Sequence, residues 1–113
     1  MAKTITRQEL ERAIDTREVT VVETLRDEHY VQGHLPGAIH IHFEDVHARA
    51  PELLPDKDAP IVTYCSNTTC RNSEIAANQL SAMGYTHVRK YAEGKQDWQE
   101  AGLPLETQAE VTR

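Results

Sequence analysis

The segment Ile61–Leu80, IVTYCSNTTCRNSEIAANQL, decides how the rest of the chain is read. Its first four residues form a continuous apolar run, which suits a strand buried on both faces, as in a parallel sheet. From Asn72 or Ser73 to Met83, the spacing of Ile75, Ala76, Leu80 and Met83 predicts a helix with one apolar side. Gly84 stands where its C-terminal cap belongs. In α/β sheets, sites gather beyond the carboxyl ends of the strands. Cys65 lies at that end of this strand.

The alternation continues in both directions. Thr6–Glu9 reads TRQE, a capping box, and Leu10, Ala13 and Ile14 follow at helical spacing. Ile5 just before suits a short edge strand. Val19–Thr24, VTVVET, is β-branched and short, so it predicts a strand. RDEHYVQ is a short helix with its acids in the first turn, stopped by Gly33. GHLPGAIHI is turn chemistry leading to a strand at Ala38–Ile41. FEDVHARA is a helix ended by Pro51, and PDKDAP is a surface turn. THVRKY is a further strand. KQDWQEA is a short helix closed by Gly102, with Trp98 facing inward. The expectation is an α/β fold: one three-layer domain over residues 1–113, with a central, mostly parallel sheet flanked by helices. The tail after Leu105, from about residue 106, has no pattern and is expected to fray.

Bulk properties narrow the function classes. A length of 113 residues allows one domain, not two. The net charge of −6 argues against nucleic acid or an anionic membrane as partner. No segment has the apolar length to span a membrane, and MAKTITRQEL lacks the apolar core of a signal peptide. A cytoplasmic location is therefore expected. Two cysteines five positions apart in a reducing compartment are read as chemical rather than structural.

The Cys65 loop has the parts of a reactive site. A loop wrapped around the thiol can point its N–H groups inward, and the following helix adds partial positive charge at its N-terminus. Both favour thiolate, the nucleophilic form. Arg71 offers a planar fork of donors for an oxyanion such as thiosulfate or phosphate. Ser66, Thr68 and Thr69 add hydroxyl donors. The loop alone leaves a second reading open, in which Cys65 is a small buried apolar residue and Arg71 a surface charge.

Three stretches together resemble the rhodanese-like family. VVETLRDEHYVQGHLPGAIHI is similar to its first signature, a strand ending in an acid, a short helix and a Gly-His-Leu-Pro-Gly-Ala segment. IVTYC resembles its active-site strand and cysteine. AANQLSAMGYTHVRKYAEGKQDWQEAGLPLE resembles its closing segment, with a Gly-Tyr turn, a strand, a Gly-x-x-x-Trp helix and a Gly-x-Pro end. The resemblance covers roughly Ile5 to Glu106. It implies a sulfurtransferase in which Cys65 takes a sulfane sulfur from a donor such as thiosulfate and becomes a persulfide. The acceptor would be cyanide, a small thiol or a protein thiol. No metal or organic cofactor is implied. The loop residues Ser66, Asn67, Thr68, Thr69, Cys70 and Arg71 would bind the anionic part of the donor.

The chain departs from that pattern in two places. Family loops commonly place the arginine five positions after the cysteine, often with a glycine between. Here the spacing is Cys-x5-Arg, with no glycine from Ser66 to Cys70. Such a loop also resembles dual-specificity phosphatases and arsenate reductases, so oxyanion chemistry stays as an alternative, beside a non-catalytic regulatory module. Against the phosphatase comparison, Ser66 stands where those enzymes carry an acid. Upstream, the strand end reads Glu23-Thr-Leu25 where the family commonly has Asp-x-Arg. Glu23 can keep an acceptor role, but Leu25 cannot replace a guanidinium.

The remaining titratable residues add one hypothesis. Five positions along a tight loop, Cys70 can approach Cys65 and act as a resolving thiol toward its persulfide or sulfenate. The alternative is a small residue facing the following helix. His40, His42 and His47 lack an obvious third ligand, and Cys65 and Cys70 lack two further zinc ligands, so no metal site is expected. His34 is read as a turn residue satisfied by backbone. Tyr64 and Trp98 are read as core.

Overall fold

A computed structural model of the chain describes residues 3–107. The β-branched runs become strands and the spaced apolar stripes become helices. Their order is β1 (Lys3–Thr4), α1 (Arg7–Asp15), β2 (Thr20–Glu23), α2 (Asp27–Gln32), β3 (Ile39–His40), a 3-10 turn (Phe43–Asp45), α3 (Val46–Leu53), β4 (Ile61–Tyr64), α4 (Asn72–Ala82), β5 (Val88–Tyr91) and α5 (Gly94–Glu100). The capping box at α1 is complete, with Thr6 accepting from the Glu9 N–H and Glu9 accepting from the Thr6 N–H.

The strands form one sheet in the order β1-β5-β4-β2-β3, and every pairing is parallel. Because side chains alternate across a strand, β4 is buried on both faces. Ile61 joins a cluster with Ala50, Ala76 and Leu80 under α3 and α4. Val62 and Tyr64 join the opposite cluster with Leu10 and Trp98, under α1 and α5. The fold is thus the expected three-layer α/β arrangement. One guanidinium nitrogen of Arg7 in α1 donates to both carboxylate oxygens of Asp97 in α5, each at 3.0 Å, which ties those two helices together beside the sheet.

The chain leaves β2 toward β3 on one side and leaves β4 toward β5 on the other. The sheet therefore changes direction between β2 and β4, and the crevice beyond their carboxyl ends is where this architecture binds ligands. Cys65 follows β4 and Thr24 follows β2, one on each side of that crevice.

Three local expectations fail. Pro51 does not end its helix but lies inside α3, which continues to Leu53. At the exposed rim of an eight-residue helix, only one internal hydrogen bond is lost to its missing N–H. Ile75 is 38% exposed, whereas Ser73, Ala76, Ala77 and Leu80 face inward, so the buried stripe of α4 leaves Ile75 outside it. The segment after Leu105 does not fray at once. Glu106 exchanges both backbone hydrogen bonds with His34, at 2.8 and 2.9 Å, and its carboxylate accepts from the Gly37 N–H. The rest of the expected frayed tail, beyond residue 107, lies outside the described residues.

Candidate active site

The floor of the crevice is polar and buried. Glu23 and Tyr64 are register partners at the ends of β2 and β4. The Tyr64 hydroxyl donates to Glu23 Oε1 at 2.6 Å and accepts from the Leu35 N–H at 3.0 Å. Burial, reinforced by the Glu23 carboxylate, raises the Tyr64 phenol well above its ordinary value and keeps it a donor. Lys95 of α5 reaches in from the side, with Nζ 3.0 Å from Glu23 Oε1 and 3.0 Å from the His29 carbonyl. Glu23 Oε2 is buried without a partner among the described residues. The Thr24 N–H and hydroxyl both bond the Tyr64 carbonyl, which fixes the strand end just before Cys65.

Helix α5 clasps the base of the Cys65 loop. The Lys95 and Gln96 N–H groups donate to the carbonyls of Cys65 and Ser66, each at 2.8 Å. Gly94 makes this contact possible. It has φ +73°, and a Cβ there would lie 2.6 Å from the Cys65 oxygen and 2.8 Å from the Ser66 carbonyl carbon. The loop then turns on Asn67. Its carbonyl accepts from the Cys70 N–H at 3.2 Å, and its side-chain oxygen accepts from the Thr69 N–H and hydroxyl. At the far end, buried Thr63 of β4 donates to the Ser73 carbonyl at 2.9 Å, anchoring the first turn of α4.

Both cysteines are free thiols, and the loop brings them into contact. Cys65 is 1% exposed. Its Sγ lies 3.3 Å from the Cys70 carbonyl and 3.6 Å from Ser73 Oγ. The expected ionisation pattern is reversed. Burial pushes the Cys65 thiol up to about 11, and the Ser73 N–H and hydroxyl offset that only in part. Burial also pushes Cys70 up, but it is outweighed. The neighbouring Cys65 thiol, the N–H groups of Asn72 and Ser66, and the Ser66 hydroxyl favour its thiolate, and the pKa falls below the ordinary thiol value.

The other loop residues separate by role. Thr69 gives its hydroxyl to Asn67, whereas Thr68 is exposed at the tip. Arg71 is exposed immediately before α4 and forms no ion pair among the described residues. A cleft of about 160 Å³ opens beside Ser66, lined by Leu25, His29 and Lys95. A second, of about 210 Å³, lies beside Asn67 and Thr68, under Glu93 and Glu100. The histidines go elsewhere. His34 is buried, stacks on Tyr30 and bonds its carbonyl. His40 bonds the Leu25 carbonyl and Asp27, and His42 faces Glu44.

Lys95 escapes the sequence reading, and Gly94 enters it only as the first residue of the Gly-x-x-x-Trp motif. The cation missing at Leu25 returns at Lys95, far along the chain, and pairs with the same acid. The only sequence signal is a lysine directly after the glycine that opens α5.

A family model described as rhodanese-like domain matches residues 6–101. The chain belongs to the rhodanese-like domain family. It is 37% identical over 107 residues to an HTH-type transcriptional regulator of Mycobacterium tuberculosis, covering 95% of this chain and 46% of that protein. It is 43% identical over 61 residues to the thiosulfate sulfurtransferase PspE of Escherichia coli, covering 54% of this chain and 57% of that one. The chain thus spans about half the length of these two relatives. Among solved structures it is similar to a rhodanese with anions from Escherichia coli, at 34% identity and a TM-score of 0.66, covering 79% of this chain and 98% of that one.

Proposed function

We propose that this rhodanese-like domain is a sulfurtransferase with Cys65 as nucleophile. The observation that carries the reading is the position of Cys65, held at the end of the central strand, under the first turn of α4, with the exposed Arg71 guanidinium closing the loop. Cys65 thiolate attacks the outer sulfur of a donor such as thiosulfate. The S–S bond breaks, sulfite leaves with the electron pair, and Cys65 keeps the sulfur as a persulfide. Arg71 and the hydroxyls of Ser66 and Thr68 hold the departing anion by charge-assisted hydrogen bonds. A thiophilic acceptor (cyanide, a small thiol or a protein thiol) then takes the outer sulfur and restores Cys65. The relationship to PspE and the likeness to an Escherichia coli rhodanese solved with anions support this choice of substrate class.

The test is the intact mass after thiosulfate treatment, with and without cyanide, in Cys70→Ser, which keeps Cys65 as its single thiol. A gain of one sulfur, removed by cyanide and absent in Cys65→Ser, is the expected result. Turnover of an aryl phosphate without any sulfur gain would establish oxyanion chemistry instead, which the seven-residue loop also admits. The regulator from Mycobacterium tuberculosis favours a second reading, a sensing module within a larger protein. Absence of any covalent sulfur on Cys65 would point there.

A further inference from the structure

The sulfurtransferase reading leaves Cys70 without a task, yet the loop brings that residue against the nucleophile. Cys65 Sγ lies 3.3 Å from the Cys70 carbonyl, and both cysteines are free thiols. The two ends of the loop are also held unequally. Two α5 amides fix the carbonyls of Cys65 and Ser66, whereas the Cys70 N–H has one bond, to Asn67. Cys70 is half-buried and Cys65 fully buried, so Cys70 is the more accessible of the two thiols.

Resting on that reading, we propose that Cys70 is a second catalytic thiol, which attacks Sγ of the Cys65 persulfide, expels hydrosulfide and closes a Cys65–Cys70 disulfide. The protons balance. The Cys65 proton goes to solvent as its thiolate attacks the donor and sulfite leaves. The persulfide is then an anion facing a Cys70 thiol. Formation of the Cys65–Cys70 bond breaks the persulfide S–S bond, and the Cys70 proton leaves with the expelled sulfur as HS⁻. The outer sulfur is reduced to sulfide and the two cysteine sulfurs are oxidised. A dithiol, small or protein-borne, must reduce the bridge before the next cycle. The domain would thus turn a sulfane sulfur into free sulfide at the expense of a dithiol. Cyanide, by attacking the outer sulfur first, bypasses the bridge.

The experiment compares reduced wild type with Cys70→Ser, each mixed with thiosulfate in the absence of reductant. Samples are alkylated and mapped, and released sulfide is measured. Wild type is expected to release one equivalent of sulfide per chain and stop, lose two hydrogens in mass, yield a bridged Cys65–Cys70 peptide, and resume when dithiothreitol is added. Cys70→Ser is expected to release only background sulfide and to carry one extra sulfur that cyanide removes. A wild type that holds a stable extra sulfur, with no bridged peptide and no sulfide, overturns the role of Cys70 and leaves the sulfurtransferase reading standing. If neither protein gains sulfur or releases sulfide, from thiosulfate or from inorganic polysulfide, both readings fall together. The wild-type arm decides the point even if the variant does not fold.

Discussion

Lys95 Nζ lies 3.0 Å from Glu23 Oε1, and this buried ion pair joins the end of β2 to the first turn of α5. The Lys95 and Gln96 amides in that turn hold the carbonyls of Cys65 and Ser66. The pair therefore sets where the helix meets the loop. Glu23 is fully buried and Lys95 nearly so.

Breaking the pair from one side should be costly. Lys95→Met leaves a buried carboxylate without its cation, a loss of about 3–5 kcal/mol in comparable cases. The double variant Glu23→Gln/Lys95→Met, which removes both charges, should recover most of that loss. Urea unfolding of the three proteins measures it. A Lys95→Met penalty below about 1 kcal/mol would place the pair among exposed, weak bridges.

Gly94→Ala tests the clasp directly. The added methyl meets the Cys65 carbonyl at 2.6 Å and takes a positive φ at the same time. The conformational strain alone is about 1–3 kcal/mol. Relief requires the loop and helix to part, so sulfur transfer should fall further than stability does. Activity and thermal unfolding measured on the same preparation give the comparison. Unchanged activity with lowered stability would mean that the clasp is structural only.

Arg71→Ala should act on binding more than on bond-making. A charge-assisted hydrogen bond contributes roughly 1.5–3 kcal/mol, about ten- to a hundredfold in affinity. KM for thiosulfate is expected to rise by that factor, with a much smaller change for an uncharged sulfane donor. Equal losses on both donors would assign Arg71 to holding the shape of the loop.

The two thiols should alkylate in a fixed order with pH. Burial disfavours the Cys65 thiolate, so its pKa lies high, at about 11, and its reactive fraction grows only as pH climbs toward that value. At Cys70 burial acts in the same direction, but the neighbouring Cys65 thiol, the N–H groups of Asn72 and Ser66, and the Ser66 hydroxyl outweigh it, favour the thiolate and lower the pKa. Iodoacetamide should therefore label Cys70 first at mildly alkaline pH and reach Cys65 only near pH 11. Peptide mapping across a pH series reads this out, and preferential labelling of Cys65 at about pH 8, near the ordinary thiol range, would contradict the geometry.

The elements are legible because their signals are local. The capping box at Thr6 and Glu9, the apolar run at Ile61–Tyr64 and the inward Trp98 each follow from neighbours within a few positions. What the sequence hides is long-range or competitive. Nothing near Glu23 announces Lys95, and nothing near His34 announces Glu106. Pro51 is tolerated because α3 is short and that face is exposed, a tertiary circumstance. The thiol ionisation escapes for a similar reason. Helix and loop amides argue for a lowered Cys65 pKa, but complete burial opposes them, and burial is invisible in a string of residues.

The strand order also bears on synthesis. The Cys65 loop is made well before α5, whose amides hold the Cys65 and Ser66 carbonyls, and edge strand β1 waits for β5, the last strand. A chain emerging from the ribosome therefore exposes two unclasped thiols before it can shelter them. Parallel pairings between distant segments close slowly. During that interval Cys65 and Cys70 are open to solvent oxidants and to thiols of other chains. The newborn molecule is more vulnerable at this pair than the finished one, and refolding from denaturant should give a better active yield with a thiol reductant present from the start.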